Sequence, residues 1–300
     1  VIHIPDTIEI NDDIRRLTSV VCHSLSDVPD IIDTWNEGKV ADVEGYYENA
    51  KINRVYVDRV HVKKAFAEYT AAYNADDPKI KLKIDHTYRV AALCERIAKA
   101  AGMCAYDVEL AWLSGMLHDV GRFEQIKRYN TFSDADSVDH AKFGADLLFK
   151  DGLISTFLNG MVKCTGYKPG ALEDRYSSDG VFLYDRLNKS DMEMLELAIR
   201  CHNMYRIPQG LNRREQAFCN VLRDADKVDI FKVNIDTPLE EIYNTTTEEL
   251  MKSDITDEVL EAFDEEHCIL KAIRRTPADT VIGHVSLAYE LVYDESVRIT

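Results

Sequence analysis

The sequence predicts an all-α protein, and three observations predict it. Only 7 prolines and 13 glycines punctuate 300 residues. Apolar residues recur at helical spacing over most of the chain, and no stretch sustains the alternation of a half-buried strand.

The elements follow in order. Residues 1 to about 55 carry weak patterning: Val1–Ile10 alternates faintly, Asn11–Cys22 fits a short helix, and Asn36–Asn49 has the polar, Gly-containing composition of a connection. Asp58–Tyr73 reads as a helix that stops at the turn signal Asn74-Ala75-Asp76-Asp77-Pro78. Lys81–Ala101 reads as a long helix with Val90, Leu93, Cys94 and Ile97 on one face, closed by Gly102. Tyr106–Val120 follows and is expected to end at Gly121. Polar residues fill 128–137, and Val138–Lys150 is the next helix. Lys163–Gly180 reads as a loop. Further helices are expected at Ser190–Met204, Arg213–Ile230, Leu239–Met251, Asp257–Ile273 and Asp279–Val292. The expected organisation is an N-terminal extension (1–57), a core (58–235) and a C-terminal helical segment packed on it (236–300).

Composition excludes several functions. With 36 basic and 53 acidic residues the formal charge is −17, which argues against broad binding to extended nucleic acid or to an anionic membrane. A small anionic substrate stays open, since a bound cation can reverse the local sign. The seven cysteines (Cys22, Cys94, Cys104, Cys164, Cys201, Cys219, Cys268) are scattered without a CxxC pair. They indicate neither a disulfide framework nor a thiolate zinc site, and fit a reducing cytoplasmic setting. No apolar run approaches a membrane span, and no signal peptide is visible. Oligomeric state is not legible.

Several polar residues fall on apolar helical faces. His86 lies four residues before Val90; His118 and Asp119 close the helix before Gly121. His140 shares a face with Gly144, Leu147 and Leu148; His202 continues the stripe of Leu195 and Ile199, and Asp226 that of Phe218 and Leu222. Burying so many imidazoles and carboxylates is costly unless something satisfies them together, and a divalent metal does so. Nitrogen and oxygen ligands without thiolate suit Zn²⁺, Mn²⁺, Fe²⁺ or Mg²⁺.

The order His86, His118-Asp119, Asp226 resembles the H…HD…D signature of the HD-domain superfamily of metal-dependent phosphohydrolases. The wording around it is similar too: Leu117-His118-Asp119-Val120-Gly121-Arg122, and Arg223-Asp224-Ala225-Asp226-Lys227-Val228-Asp229. The resemblance covers about residues 58–235 and implies a helical-bundle core. It makes Asp226 the ligand, with Asp224 and Asp229 beside it on the helix surface or supporting the ligands. His140 with Gly144 resembles the HxxxG step of binuclear HD proteins, and His202 stands in the place of their fifth ligand. The cyclic-dinucleotide branch carries Gly-Tyr-Pro after a double His; here His202-Asn203 is followed by Arg206-Ile207-Pro208-Gln209-Gly210-Leu211. The alarmone-hydrolysing branch carries an acidic pair after its HD, where this chain has Val120-Gly121-Arg122.

The resemblance implies two divalent ions held by His86, His118, Asp119, His140, His202 and Asp226, with Asp119 bridging. The reaction would be hydrolysis of a nucleotide or small phosphorylated metabolite by metal-activated water. Lys83, three residues before His86, and Arg122, three after Asp119, are expected to neutralise phosphate oxygens. Two other readings compete: a di-iron oxygenase, which uses a similar ligand set, and a non-catalytic nucleotide sensor. His3, His23, His61, His267 and His284 fall outside the pattern. Cys201 is expected to pack in the core, and Asp134–Asp139 to be a solvated loop and helix start, with Asp139 near the site.

Overall fold

The computed structural model describes residues 57–74, 76–158, 187, 189–238, 240 and 245–300, together with the backbone of four two-residue strands. Contacts divide the chain into two units: Val1–Val55 with Val162–Tyr184, and Tyr56–Met161 with Asp185–Thr300. In the first, β1 (Ile2–His3) pairs parallel with β2 (Val20–Val21), and β3 (Lys163–Cys164) pairs antiparallel with β4 (Phe182–Leu183). These pairings are too short to carry a core, and the fold is all-α. The rest of the expected elements at 11–22, 36–49 and 163–180 lies outside the described residues.

The second unit starts with α1 (Arg59–Thr70), whose cap Asp58 accepts from the amides of Val60 and His61. The helix expected to run to Tyr73 ends at Thr70, and the next begins at Pro78, inside the expected turn at 74–78. Asp77 caps α2 (Pro78–Ala100) and Pro78 takes its first position, where a missing N–H costs nothing. Gly102, at φ +73°, ends α2: its amide donates to Lys99 O and that of Met103 to Ala98 O. Next come α3 (Ala105–Leu117), α4 (Val120–Tyr129) and the short α5 (His140–Ala145), which runs on as a π-helical turn through Asp146–Lys150. Then follow α6 (Ile154–Leu158), α7 (Lys189–Cys201) and α8 (Arg213–Asp236), the last opened by a capping box between Asn212 and Glu215.

One expectation fails instructively. Gly121 does not stop a helix; it lies in the first turn of α4, a helix that the periodicity does not reveal. A Cβ on Gly121 would stand 2.4 Å from His140 O and 2.7 Å from Gly144 N, so the glycine exists for close approach between α4 and α5. The helix expected to run through Val120 ends at Leu117, and α8 runs six residues past its expected end.

Nothing in the sequence signals α6 either, because five residues are too few to show a period. Beyond α8 the expected helices break up. Within the expected 239–251 helix Glu240 is helical and α9 spans Thr247–Lys252, followed by α10 (Asp257–Asp264) and a 3₁₀ turn at Lys271–Ile273. Then come α11 (Pro277–Val285), a 3₁₀ turn at Ser286–Glu290 and α12 (Asp294–Ile299).

Packing centres on α2, α3 and α8, with α7 beside α8 and α5 against α4 and α7. Phe66, Phe123, Phe157, Phe218, Leu113 and Leu195 are fully buried there. Each contributes about 1.5–3 kcal/mol of apolar burial. Phe66 meets Tyr88 and Phe123 edge to face, with ring centres 5.5 and 5.8 Å apart. Behind α8, the carboxylate of Asp224 accepts from the amides of Val292 and Tyr293, and Lys227 Nζ donates to Glu290 O. These bonds tie the C-terminal segment to α8. Among the described residues, no helix is long and apolar enough to cross a membrane.

Candidate metal centre

Two close helix contacts bring the polar residues together. Gly115 lets α3 approach α2, since a Cβ there would sit 2.6 Å from Ala91 Cα, and this sets His118 beside His86. The Gly121–Gly144 contact does the same for α4 and α5, setting Asp119 beside His140. Between α3 and α4 the chain breaks at Asp119, with φ −105° and ψ 16°. The break lets adjacent His118 and Asp119 point at one place, His118 Nε2 being 3.6 Å from Asp119 Oδ2. His202, just past α7, and Asp226, on α8, complete the set.

All six expected residues converge. His86 Nε2 lies 3.5 Å from Asp119 Oδ2, 3.2 Å from Asp226 Oδ1 and 3.3 Å from His118 Nε2. On the other side, Asp119 Oδ1 lies 3.5 Å from His140 Nε2 and 3.7 Å from His202 Nε2, and those two nitrogens are 3.1 Å apart. The two oxygens of one carboxylate thus face two groups: His86, His118 and Asp226 on one side, His140 and His202 on the other. His86, His118, Asp119, His140 and His202 are buried; the Asp226 side chain is 19% exposed and forms the open edge.

The imidazoles are held by their other nitrogens. Nδ1 of His118 donates to Gly115 O at 2.8 Å, and that of His202 to Ile199 O at 2.7 Å. Nδ1 of His86 donates to Asp229 at 2.6 Å, and that of His140 to Asp134 at 2.7 Å. A carbonyl or carboxylate can only accept, so each Nδ1 carries the proton and each Nε2 turns to the centre. Four donors about 2.1 Å from one tetrahedral ion stand about 3.4 Å apart, and the spacings here match. Asp119 Oδ1 is buried with no hydrogen-bond partner, and the bare Nε2 lone pairs of His140 and His202 converge beside it. A cation satisfies all three, so this donor set fits divalent metal ions on both sides of Asp119.

The electrostatics of the protein without ions are uneven. Burial pushes His118 down to about 3, and burial with the Arg122 charge pushes His140 down to about 4. His86 goes the other way: burial and Lys83 oppose its charge, but contacts with Asp119, Asp226 and Asp229 raise it to about 9. Asp119 is held well below the carboxylate range; burial works against this, but Lys83 and His118 lead the groups that outweigh it.

Lys83 Nζ lies 2.7 Å from Asp119 Oδ2. Arg122 reaches toward Asp119 with Nε, 3.8 Å from Oδ1, while Nη1 donates to Phe132 O, Gln125 and Asp134. Its Nε is buried without a hydrogen-bond partner. Asp229 supports His86, whereas Asp224 serves the C-terminal segment and is fully buried rather than on a helix surface.

Sequence reasoning misses Asp134: it belongs to a run expected to be solvated, yet it holds His140. Asp139 caps α5, as expected of a helix start. The only sequence signal for Asp134 is a carboxylate six residues before a ligand histidine in a polar loop, too weak to single it out. His61, His267 and His284 bond elsewhere, to Thr156 O, Glu265 and Asn234; the side chains of His3 and His23 lie outside the described residues. Burial raises the thiol of Cys201, in keeping with core packing, and the five described cysteines are free.

Residues 84–232 match the family model of the HD domain, a span containing all six convergent residues. A crystal structure of a predicted HD superfamily hydrolase from an uncultured Thermotogales bacterium is similar at 22% identity. The likeness covers 58% of this chain and 74% of that one with a TM-score of 0.34, too low to bear on the site. No curated protein matches the chain.

Proposed function

Because this chain belongs to the HD-domain family through residues 84–232, we propose that it is a two-ion phosphohydrolase of nucleotides or small phosphorylated metabolites. The observation carrying this reading is the division of Asp119: Oδ2 faces one pair of imidazoles and Oδ1 another. His86, His118, Asp226 and Asp119 Oδ2 would hold one ion; His140, His202 and Asp119 Oδ1 would hold the other. Such ions polarise a phosphoryl oxygen and make water nucleophilic near neutral pH.

The protein's own groups supply the rest. Lys83 and Arg122 put two positive charges beside Asp119, favouring an anionic substrate whose charge grows in the transition state. The Nε of Arg122, buried without a hydrogen-bond partner, points at Asp119 Oδ1 and adds its charge to that side of the centre. Burial of the five inner ligands excludes bulk water, leaving the Asp226 edge for substrate entry.

Elemental analysis of protein purified without added metal, paired with phosphate-release assays on p-nitrophenyl phosphate and nucleotides, tests the proposal. Two manganese, zinc or magnesium ions per chain with phosphate release are expected. Two irons with oxygen consumption and no phosphate release would overturn it, as would tight nucleotide binding without turnover under any metal.

A further inference from the structure

We propose that Asp134 is a positioning residue that locks the His140 side of the centre and the Arg122 cation into one unit; this rests on the two-ion reading above. Asp134 lies in the loop between α4 and α5. Its Oδ2 and Oδ1 stand 2.7 and 2.9 Å from His140 Nδ1. Oδ1 also accepts from Arg122 Nη1 at 2.9 Å and Gln125 Nε2 at 3.0 Å, and Oδ2 from Asn203 Nδ2 at 3.3 Å. One carboxylate therefore touches a ligand histidine, the cation three residues after Asp119, and the neighbour of His202.

Among the described residues, no other group does this for His140. His118 and His202 are oriented by carbonyls of their own helices, which the helices fix. His140 is the first residue of α5, so the residues before it are loop and offer no helical carbonyl behind its ring like those of Gly115 and Ile199. Its ring direction thus depends on a loop residue. Loss of a carboxylate behind a ligand histidine typically weakens a metal about 10- to 100-fold.

The test uses the full chain loaded with Mn²⁺. Wild type is expected to bind two ions and give the electron paramagnetic resonance spectrum of a spin-coupled pair. Asp134→Asn is expected to bind one ion as wild type does and the other about 10- to 100-fold more weakly. At limiting Mn²⁺ it should show the six-line spectrum of an isolated ion. Asp191→Asn, which breaks a buried pair with Arg214 away from the centre, is the structural control: it should lower the melting temperature yet keep both ions. Should D134N fold poorly, Asp134→Ser gives the same readout. Two ions at wild-type affinity in the Asp134 variants would overturn the inference, and so would loss of the coupled pair in D191N. Fewer than two ions in wild type would instead overturn the two-ion reading.

Discussion

The two sides of Asp119 are built differently. His86 and Asp226 come from the long helices α2 and α8, and His118 from the end of α3, which Gly115 brings against α2. On the other side stand His140, at the start of a six-residue helix, and His202, just past α7, with a loop carboxylate behind His140. The first side is a product of core packing; the second depends on caps, a glycine contact and one loop. Charge does not follow that division, since burial pushes His118, on the first side, down to about 3. Three carboxylates surround His86 and raise it to about 9, whereas burial and Arg122 push His140 down to about 4. Side chains on packed helices get their geometry from the core, and those at helix ends need extra support.

Substitutions can break or sharpen that contrast. The largest effect is expected from Asp119→Asn, which touches both sides: turnover should fall about a thousandfold or more while circular dichroism stays helical. Near-normal phosphate release would remove Asp119 from its role.

Gly115→Ala and Gly121→Ala then separate the sides. Both place a Cβ under 3 Å from backbone, costing about 1–3 kcal/mol in denaturant unfolding. G115A should cost more stability, because α2 and α3 are core helices. G121A should cost less stability but more occupancy at the His140 side, measured as metal per chain.

Asp229→Asn should weaken only the ion beside His86, about 10- to 100-fold; a Mn²⁺ titration in which both sites weaken equally would erase the contrast. The smallest effect is expected from Gly144→Ala, whose Cβ would stand 3.0 Å from Gly121 N. Calorimetry should show a loss under about 1 kcal/mol.

The same contrast explains what can be read in the sequence. His86 and Asp226 are legible because long helices repeat every 3.6 residues, so a polar residue on the apolar stripe stands out. His118 and Asp119 show at the end of a periodic run, although Gly121 is not the helix stop it resembles. A glycine after a helix and a glycine at a helix crossing look alike until the partner helix is placed. His140 and His202 also lie on predicted apolar stripes, with Gly144, Leu147 and Leu148 and with Leu195 and Ile199, but their part in a second ion's ligand set comes from the family resemblance. Asp134 is lost in a polar loop, where nothing local separates a solvated carboxylate from one that holds a histidine. Its partners Arg122, His140 and Asn203 lie 12, 6 and 69 residues away, and only tertiary structure joins them.

Two carboxylates separated by one alanine on α8 divide the labour of the helix: Asp226 faces the centre, and Asp224 holds the amides of Val292 and Tyr293. For protein engineering this makes the tail a part of the active region. Trimming the chain before Val292 would strand a buried carboxylate beside the helical turn that carries a ligand. Leaving a buried group of this kind without partners costs about 1–3 kcal/mol or more. The helix could relieve that cost by shifting Asp224 toward water, and Asp226 would move with it. A shortened variant made for crystallisation would thus change metal affinity without touching any ligand.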